Sequence, residues 1–288
     1  MKRKEQLLKG ILIPIVLLSL ATAAWGTSNC KAVYGDGTHT FTLATGSPGE
    51  LGLLEELAEA FNKKHDTAVC WKKAGSGESL KLLKEKEVDV VMVHAPAAEK
   101  DACAEGWACK RTLIGSNEFY IVGPKDDPAG IARAETAADA YARIAKAGEK
   151  FLSRGDNSGT HKKEMAIWKQ AGIGPSGDWY VVTKDFMMAT LKEANEVNGY
   201  FMTDGSTWVA GKKQLETLAV LFRGDPFLVN VYHALCQPKG ATPGQRYASM
   251  FVDFVGSEEG QEIIRYHGKD LYGEAMYNDA TYAKQYEH

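Results

Sequence analysis

Apolar and polar positions alternate with two different periods in the first third of the chain. Residues 40–45, 67–73 and 88–93 have the pattern of strands, and the last is the continuous apolar run typical of a strand buried in a parallel sheet. Residues 51–61 and 78–83 carry apolar side chains at helical spacing. Strand, helix, strand, helix, strand is the order of a doubly wound α/β layer, so the sequence predicts an α/β fold.

The rest of the chain continues this alternation. Further strands are predicted at 118–123, 150–152, 179–182, 200–203, 218–222 and 227–235, with helices at 136–147, 158–171 and 187–197. Two more helices, the second capped by Ser257, are predicted to finish the fold.

Turn residues at 124–130 indicate where the chain leaves one lobe for another, and the strand at 227–235 is its expected return. The predicted architecture is therefore two lobes, each a doubly wound sheet flanked by helices, with a ligand cleft between them that closes like a hinged clamp. We expect lobe 1 to comprise residues 27–120 and 228–288, and lobe 2 to comprise residues 121–227.

The N-terminus has the pattern of an export signal. Residues 1–10 hold four basic side chains, an apolar run extends from Ile11 to about Ala24, and Ala24 and Gly26 suit cleavage after Gly26. A membrane anchor is the weaker alternative, because the apolar run is shorter than the roughly 20 residues of a spanning helix. We expect residues 1–26 to be a signal peptide and the mature protein to be periplasmic, with lipidation of Cys30 as a minor alternative.

Composition narrows the class of function. A formal net charge of −3 argues against a general nucleic-acid binder, which depends on clustered Lys and Arg. No Cys-x-x-Cys or His-Glu-x-x-His spacing is present, so we expect neither a metal site nor a cofactor.

Export permits disulfides among the five cysteines, and their odd number leaves at least one unpaired. Cys103 and Cys109 are close enough in sequence to bridge a local loop or to serve as a redox pair. Cys70 and Cys236 lie in strand-like runs and are either buried neighbours or separate core thiols. The spacing alone assigns no pair.

Arg154 and the small residues after it have the composition of an anion cradle. Arg154 supplies a planar fork of donors that does not lose its charge. A helix that begins near Ser158 directs its first free N–H groups toward the same point, with Gly159 allowing close approach and the Ser158 and Thr160 hydroxyls adding neutral donors. The alternative is a surface helix capped by Asp156 or Ser158, with Arg154 solvated nearby.

Other strand-to-helix loops are expected to face this cradle. Ser47 with Pro48 and Glu50 has the pattern of a capping box, although the same loop could present its hydroxyl and N–H groups to a ligand. Ser76 opens the next helix in a similar way. The expected anion-binding residues are Thr45, Gly46, Ser47, Ser76, Arg154, Ser158, Gly159 and Thr160.

The cradle and three other motifs point to one family. These are the turn Val93-His94-Ala95-Pro96, the run 121–130, and Thr203-Asp204 before Trp208. With them the chain resembles the periplasmic tungstate-binding proteins of ABC transporters. The resemblance implies a type II periplasmic binding fold and a monomeric protein, not an enzyme, that delivers an oxyanion to a membrane permease.

The resemblance leaves the choice of anion open, with molybdate and phosphate as alternatives to tungstate. Phosphate-binding relatives use a similar Arg-x-Asp-x-Ser-Gly-Thr run, and this chain departs from the family pattern at 45–49 and at Gly205, where the family has arginine. Hydrogenphosphate carries a proton and needs an acceptor. Asp156 turned into the pocket would favour phosphate, whereas Asp156 turned onto the backbone would be a cap.

A secreted hydrolase is the alternative from another class of protein. Ser158 and His161 are close in sequence, and His94 and Asp204 lie on loops near the expected cleft. Ser158 and His161 would, however, share one helical turn, and no Gly-x-Ser-x-Gly elbow is present. A single histidine after a strand, such as His94, is also more often structural than a ligand contact.

Overall fold

The computed structural model describes residues 29–287. The expected signal peptide at 1–26 lies outside these residues. Across the part of the chain that is described, no helix combines the length and the apolar character needed to cross a bilayer.

Strands and helices follow one another in the predicted order. The strands are β1 (Ala32–Tyr34), β2 (His39–Thr45), β3 (Thr67–Lys73), β4 (Val90–Val93), β5 (Cys109–Pro124), β6 (Phe151–Ser153), β7 (Tyr180–Val182), β8 (Tyr200–Asp204), β9 (Leu218–Phe222), β10 (Val229–Cys236) and β11 (Asn278–Asp279). The helices are α1 (Ser47–Glu50), α2 (Leu53–His65), α3 (Ser76–Lys84), α4 (Pro96–Ala104), α5 (Ala137–Ala147), α6 (Gly159–Gln170), α7 (Met187–Val197), α8 (Gly205–Gly211), α9 (Gln245–Val255), α10 (Glu258–Tyr266), α11 (Lys269–Tyr272) and α12 (Ala280–Ala283).

The eleven strands of the described residues form one mixed sheet. Its order is β1-β3-β2-β4-β10-β5-β8-β6-β7, with β9 and β11 also paired to β5. Strand β2 runs parallel to both β3 and β4, as the intervening helices α2 and α3 require. Strand β6 likewise lies parallel to β7 and β8. Each end of the sheet is therefore built from parallel strands joined through helices.

The apolar core is divided into a lobe at each end of the sheet. One cluster is drawn from residues 119–228 and centres on aromatic side chains such as Trp168 and Phe151. Two further clusters, around Phe61 and around Leu83, come from the flanking parts of the chain, with Val209 of α8 packed into the first of them. We call the flanking parts lobe 1 and the intervening part lobe 2. The residue boundaries at 120 and 227 stay predictions.

The chain passes between the two parts within strand β5, before it reaches the turn at 124–130. Strand β5 is 16 residues long. Its residues through Glu118 pair with β10, and those from Phe119 onward pair with β8 and β9, so the crossing lies inside one unbroken strand. The sequence pattern missed the first part of β5 because charged residues there, such as Lys110 and Arg111, interrupt the apolar alternation.

Two helices do not finish the fold, contrary to the prediction. After α10 the chain forms α11, β11 and α12, and β11 pairs with the middle of β5 at Ser116 and Gly115. These elements are only two to four residues long, too short to show a periodic pattern.

The cysteines pair differently from both suggestions made from spacing. Cys30 and Cys70 form a disulfide, because β1 lies beside β3 and brings the segment before it next to Cys70. Cys103, Cys109 and Cys236 are free thiols. Neither the local Cys103–Cys109 bridge nor a Cys70–Cys236 pair is present.

Candidate functional site

Helix α6 begins and ends as the sequence predicts. Ser158 is its N-cap, and Ser158 Oγ accepts a hydrogen bond from the His161 N–H at 3.3 Å. Gly172, one residue beyond the C-cap, has the expected left-handed conformation, with φ +70°. The first N–H groups of the helix, at Gly159 and Thr160, are directed out of its positive end.

The N-terminus of α3 meets that of α6 across the gap between the lobes. Gly75 is the N-cap of α3 and offers no side chain to its first N–H groups. A Cβ added to Gly75 would lie 3.2 Å from Ser158 Cβ, and one added to Gly77 would lie 3.1 Å from the Asn157 carbonyl oxygen. Two positive helix ends therefore converge on one small volume, an arrangement that favours an anion.

A cavity of about 20 Å³ lies between these helix ends. Organic ligands occupy pockets of about 300–1,000 Å³, so this cavity suits only a small ion. Seven of the eight predicted anion-binding residues line it: Thr45, Gly46, Ser47, Ser76, Arg154, Ser158 and Thr160. Gly159 does not; it packs against the ring of His94, where an added Cβ would lie 2.4 Å from Cε1. A larger cavity of about 450 Å³, near Tyr120 and Arg223, contains none of the eight.

Two buried polar atoms at the small cavity have no hydrogen-bond partner among the described residues. They are Arg154 Nε and Thr160 Oγ1, in side chains of residues that are only 5% and 2% exposed. An unpaired buried polar group costs about 1–3 kcal/mol, and more when it is charged. Such atoms need an explanation in any structure, and here a bound acceptor supplies one.

Of two further hydroxyl groups at the cavity, one is free to donate into it. Ser76 Oγ accepts from the His94 N–H at 3.2 Å, and Ser158 Oγ accepts from the His161 N–H. A hydroxyl that accepts from the backbone keeps its own hydrogen. The Ser158 hydroxyl is directed to Asp156, so Ser76 is the one of the two that presents a donor.

The hydroxyls of Thr45 and Ser47 are already committed. Thr45 Oγ1 donates to the Met92 carbonyl oxygen at 2.8 Å, and Ser47 Oγ donates to Asp204 Oδ2 at 3.2 Å. Their hydrogens are therefore not available to a ligand in this arrangement.

The capping box predicted at the start of α1 does not form. Gly46 is the N-cap, Ser47 is the first helical residue, and no side chain caps the helix. Glu50 pairs with Lys73, Oε1 to Nζ 2.6 Å, instead of folding back onto the helix start. Gly52, in the left-handed region, separates this short turn from α2.

Asp156 is turned onto Arg154 and the backbone. Its Oδ2 lies 2.5 Å from Arg154 Nη2, and its Oδ1 accepts the Ser158 N–H at 3.0 Å. Burial raises the pKa of Asp156, but the Arg154 charge and the hydrogen bonds from Ser158 outweigh it and leave the pKa lowered. Asp156 therefore stays ionised and holds the guanidinium in place without lining the cavity.

His94 lines the cavity, although sequence reasoning ranked it low. Removal from bulk water and the neighbouring Arg154 charge lower the pKa of His94 to about 3. The imidazole is therefore neutral near pH 7. Phe186 and Tyr232 also line the cavity; no local motif marks them, because each lies on an element distant in sequence from the cradle.

Ser158 and His161 are not arranged as a nucleophile and base. Ser158 Oγ caps the backbone of α6, and His161 Nδ1 accepts from the Asn157 N–H at 3.0 Å. The imidazole nitrogen nearest the cradle thus serves the backbone rather than the Ser158 hydroxyl.

Comparison with known proteins places this chain in a family. Residues 32–259 match the model of the PBP superfamily domain. The chain belongs to the PBP superfamily. The tungstate-binding protein TupA of Peptoclostridium acidaminophilum is 36% identical over 240 residues, which is 81% of this chain and 82% of TupA.

Two solved structures are similar to this PBP superfamily member over nearly their whole length. The tungstate ABC transporter structure from Geobacter sulfurreducens is 38% identical with a TM-score of 0.72, covering 80% of this chain and 99% of that one. TupA from Desulfovibrio alaskensis G20 is 36% identical with a TM-score of 0.69, covering 84% and 98%. The resemblance to this family and the two-lobed periplasmic binding fold are thus confirmed.

The neutral state of His94 predicts a pH-dependent stability for this PBP superfamily member. The pKa is about 3 in the folded protein and 6.5 ordinarily, so the unfolded chain takes up the proton first as the pH falls. Stability is therefore lost from pH 6.5 downward, at about 1.4 kcal/mol per pH unit. His94→Gln removes this contribution.

Urea denaturation of both proteins at pH 7.5, 6, 5 and 4.5 measures the effect. The value at pH 7.5, where the histidine is neutral in both states, is the control for packing. We expect the variant to gain stability relative to the wild type at each step down in pH. A difference between the two proteins that is constant with pH would contradict a buried neutral His94.

Proposed function

We propose that this protein captures a small, fully ionised oxyanion, foremost tungstate, in the cleft between its lobes and delivers it to the permease of an ABC transporter. The observation that carries the proposal is the pair of buried donors without partners, Arg154 Nε and Thr160 Oγ1, where two helix N-termini converge. The names of the relatives, tungstate-binding proteins and a tungstate ABC transporter, support it. So does the export pattern of residues 1–26, which favours a periplasmic location.

The lining matches the chemistry of a tetrahedral dianion. Tungstate offers only acceptors, and the cavity offers it donors: Arg154 Nε, the hydroxyls of Ser76 and Thr160, and the first N–H groups of α3 and α6. Hydrogen bonds to charged groups contribute about 1.5–3 kcal/mol each. Several of them supply the roughly −12 kcal/mol of a nanomolar complex when the lobes are already ordered.

The carboxylates near the cavity favour an anion without a proton. Hydrogenphosphate needs an acceptor for its hydrogen. Asp156 is engaged by Arg154 and the Ser158 N–H, and Glu50, which lines the cavity, is engaged by Lys73. Asp156 is thus turned away from the acceptor role that phosphate needs, and together with the names of the relatives this ranks tungstate first, with molybdate, of the same charge and shape, second.

Calorimetric titration of the chain from Thr27, stripped of ligand, with tungstate, molybdate, sulfate and phosphate tests this function. We expect tight tungstate binding and no heat from phosphate. Arg154→Ala should weaken tungstate at least about 100-fold, because it removes the permanent charge. Arg133→Ala, an exposed arginine of the same lobe, is the matched control. Phosphate binding more tightly would overturn the choice of anion, and unchanged affinity in Arg154→Ala would move the site elsewhere.

Two threonines at the cavity are expected to respond differently to the same substitution. Thr160→Val removes an unpartnered hydroxyl that donates to the anion, so tungstate affinity should fall about 10- to 100-fold. Thr45→Val removes a hydroxyl bonded to Met92, so we expect about 1 kcal/mol less stability and little change in affinity. Calorimetry and urea denaturation of both variants separate the two effects. Equal losses of affinity would show that the Thr45 hydroxyl also reaches the ligand.

A further inference from the structure

Phe186, the N-cap of α7, lines the cavity, and two cations lie close to its ring. Lys73 Nζ is 3.8 Å from the centroid of its ring, and Arg154 Cζ is 5.5 Å from it. Lys73 ends β3 in lobe 1, whereas Phe186 and Arg154 belong to lobe 2. The contact between Lys73 and Phe186 therefore joins the two sides of the cleft.

Lys73 is held in place for this contact. Glu50, on α1 and at the edge of the cavity, binds Lys73 with a distance of 2.6 Å between Oε1 and Nζ. The Lys73 side chain is only 27% exposed. A cation over an aromatic face is held more strongly when both are partly removed from water.

The lobes touch closely around the same point. Gly75 and Gly77 lie against Ser158 and Asn157 so tightly that a Cβ at either glycine would be about 3 Å from lobe 2. This close contact narrows the way out for an anion held among Arg154, Ser76 and the helix ends. The Phe186 ring is the large apolar side chain that lobe 2 contributes to the lining of this cavity.

We propose that Phe186 is the gate of the closed cleft, and that Lys73 holds its ring over Arg154 until the anion leaves. This inference rests on the proposed function and deepens it. Phe186 makes no hydrogen bond to the anion, so it sets how long the complex lasts. Entry through the open cleft, where Lys73 and Phe186 are apart, does not depend on their contact.

Stopped-flow measurement of tungstate association and dissociation tests the gate. We expect Phe186→Leu to raise the dissociation rate about 10-fold and to leave the association rate within about twofold. The matched control is Phe227→Leu, whose ring lies 4.5 Å from Lys163 Nζ within lobe 2 and away from the cavity. Phe227→Leu should release tungstate at the wild-type rate.

A double-mutant cycle then tests the part played by Lys73. If Lys73 acts through the ring, Lys73→Gln should speed dissociation in the wild type and add little in Phe186→Leu. An unchanged dissociation rate in Phe186→Leu, or independent effects of the two substitutions, would overturn the gate while leaving the proposed function intact. Failure of the wild-type protein to bind tungstate would overturn both.

An independent pair of thiols lies at the far end of the two strands that connect the lobes. Cys109 begins β5 and Cys236 ends β10, and the register pairs them directly across these antiparallel strands. Their Sγ atoms are 3.5 Å apart. Facing positions on antiparallel strands have Cα separations of about 4.5–5.5 Å, which a disulfide spans. We infer that Cys109 and Cys236 form a second disulfide in an oxidising compartment.

The oxidant for this step is a small-molecule disulfide such as oxidised glutathione. Cys109 is the more exposed of the two thiols, so its thiolate attacks first and releases one glutathione thiol. Burial raises the pKa of the Cys236 thiol to about 12, so Cys236 reacts in the second step. Cys236 loses its proton and its sulfur displaces the second glutathione from Cys109. The two protein thiols together lose two electrons and two protons, and two molecules of reduced glutathione gain them.

Counting free thiols in the denatured full chain before and after treatment with oxidised glutathione tests this pairing. With the Cys30–Cys70 bond intact, we expect the count to fall from three to one, and in Cys103→Ser from two to zero. Non-reducing peptide mapping should recover the Cys109 and Cys236 peptides as one species. Two thiols remaining in treated Cys103→Ser, a lasting glutathione adduct, or a Cys103–Cys109 bond would overturn it.

Discussion

The buried guanidinium of Arg154 is the constraint around which the cleft is arranged. A permanent charge that is 5% exposed loses most of its hydration, and the resulting penalty amounts to several kcal/mol unless other groups offset it. Asp156 offsets part of it by holding one nitrogen at 2.5 Å. The positive ends of α3 and α6 lie beside the same group and add to the excess of positive potential. A bound dianion resolves this imbalance, which no described side chain at the cavity does.

The charge of Arg154 also explains the protonation states of the neighbouring His94 and Asp156. His94, beside Arg154, is kept neutral by burial and by that charge, so it adds no second cation to the cleft. Asp156 remains ionised because the Arg154 charge and the hydrogen bonds from Ser158 lower its pKa by more than burial raises it. The cavity thus combines a fixed charge, neutral donors and a neutral ring, a set that recognises acceptors without requiring a proton transfer.

The close contact between the two lobes depends on residues that attract no attention when each is considered alone. The absence of a side chain at Gly75 and Gly77 lets the end of α3 approach α6 within van der Waals distance. Lys73, fixed by Glu50, reaches across the cleft to Phe186. Strand β5 also passes from one lobe to the other as a single strand, so both sides of the cleft are parts of one sheet.

The sequence by itself determined those features whose causes lie within a few residues. It placed β3 at residues 67–73 and predicted α6 from its Ser158 cap to Gly172, because periodicity, caps and turns are local. Only the tertiary structure decided which donors are free. Thr45 is bonded to a residue 47 positions away, Ser47 to one 157 positions away, and Phe186 meets Lys73 from another lobe. Spacing along the chain carries no information about such partners, since the folded sheet alone brings them together.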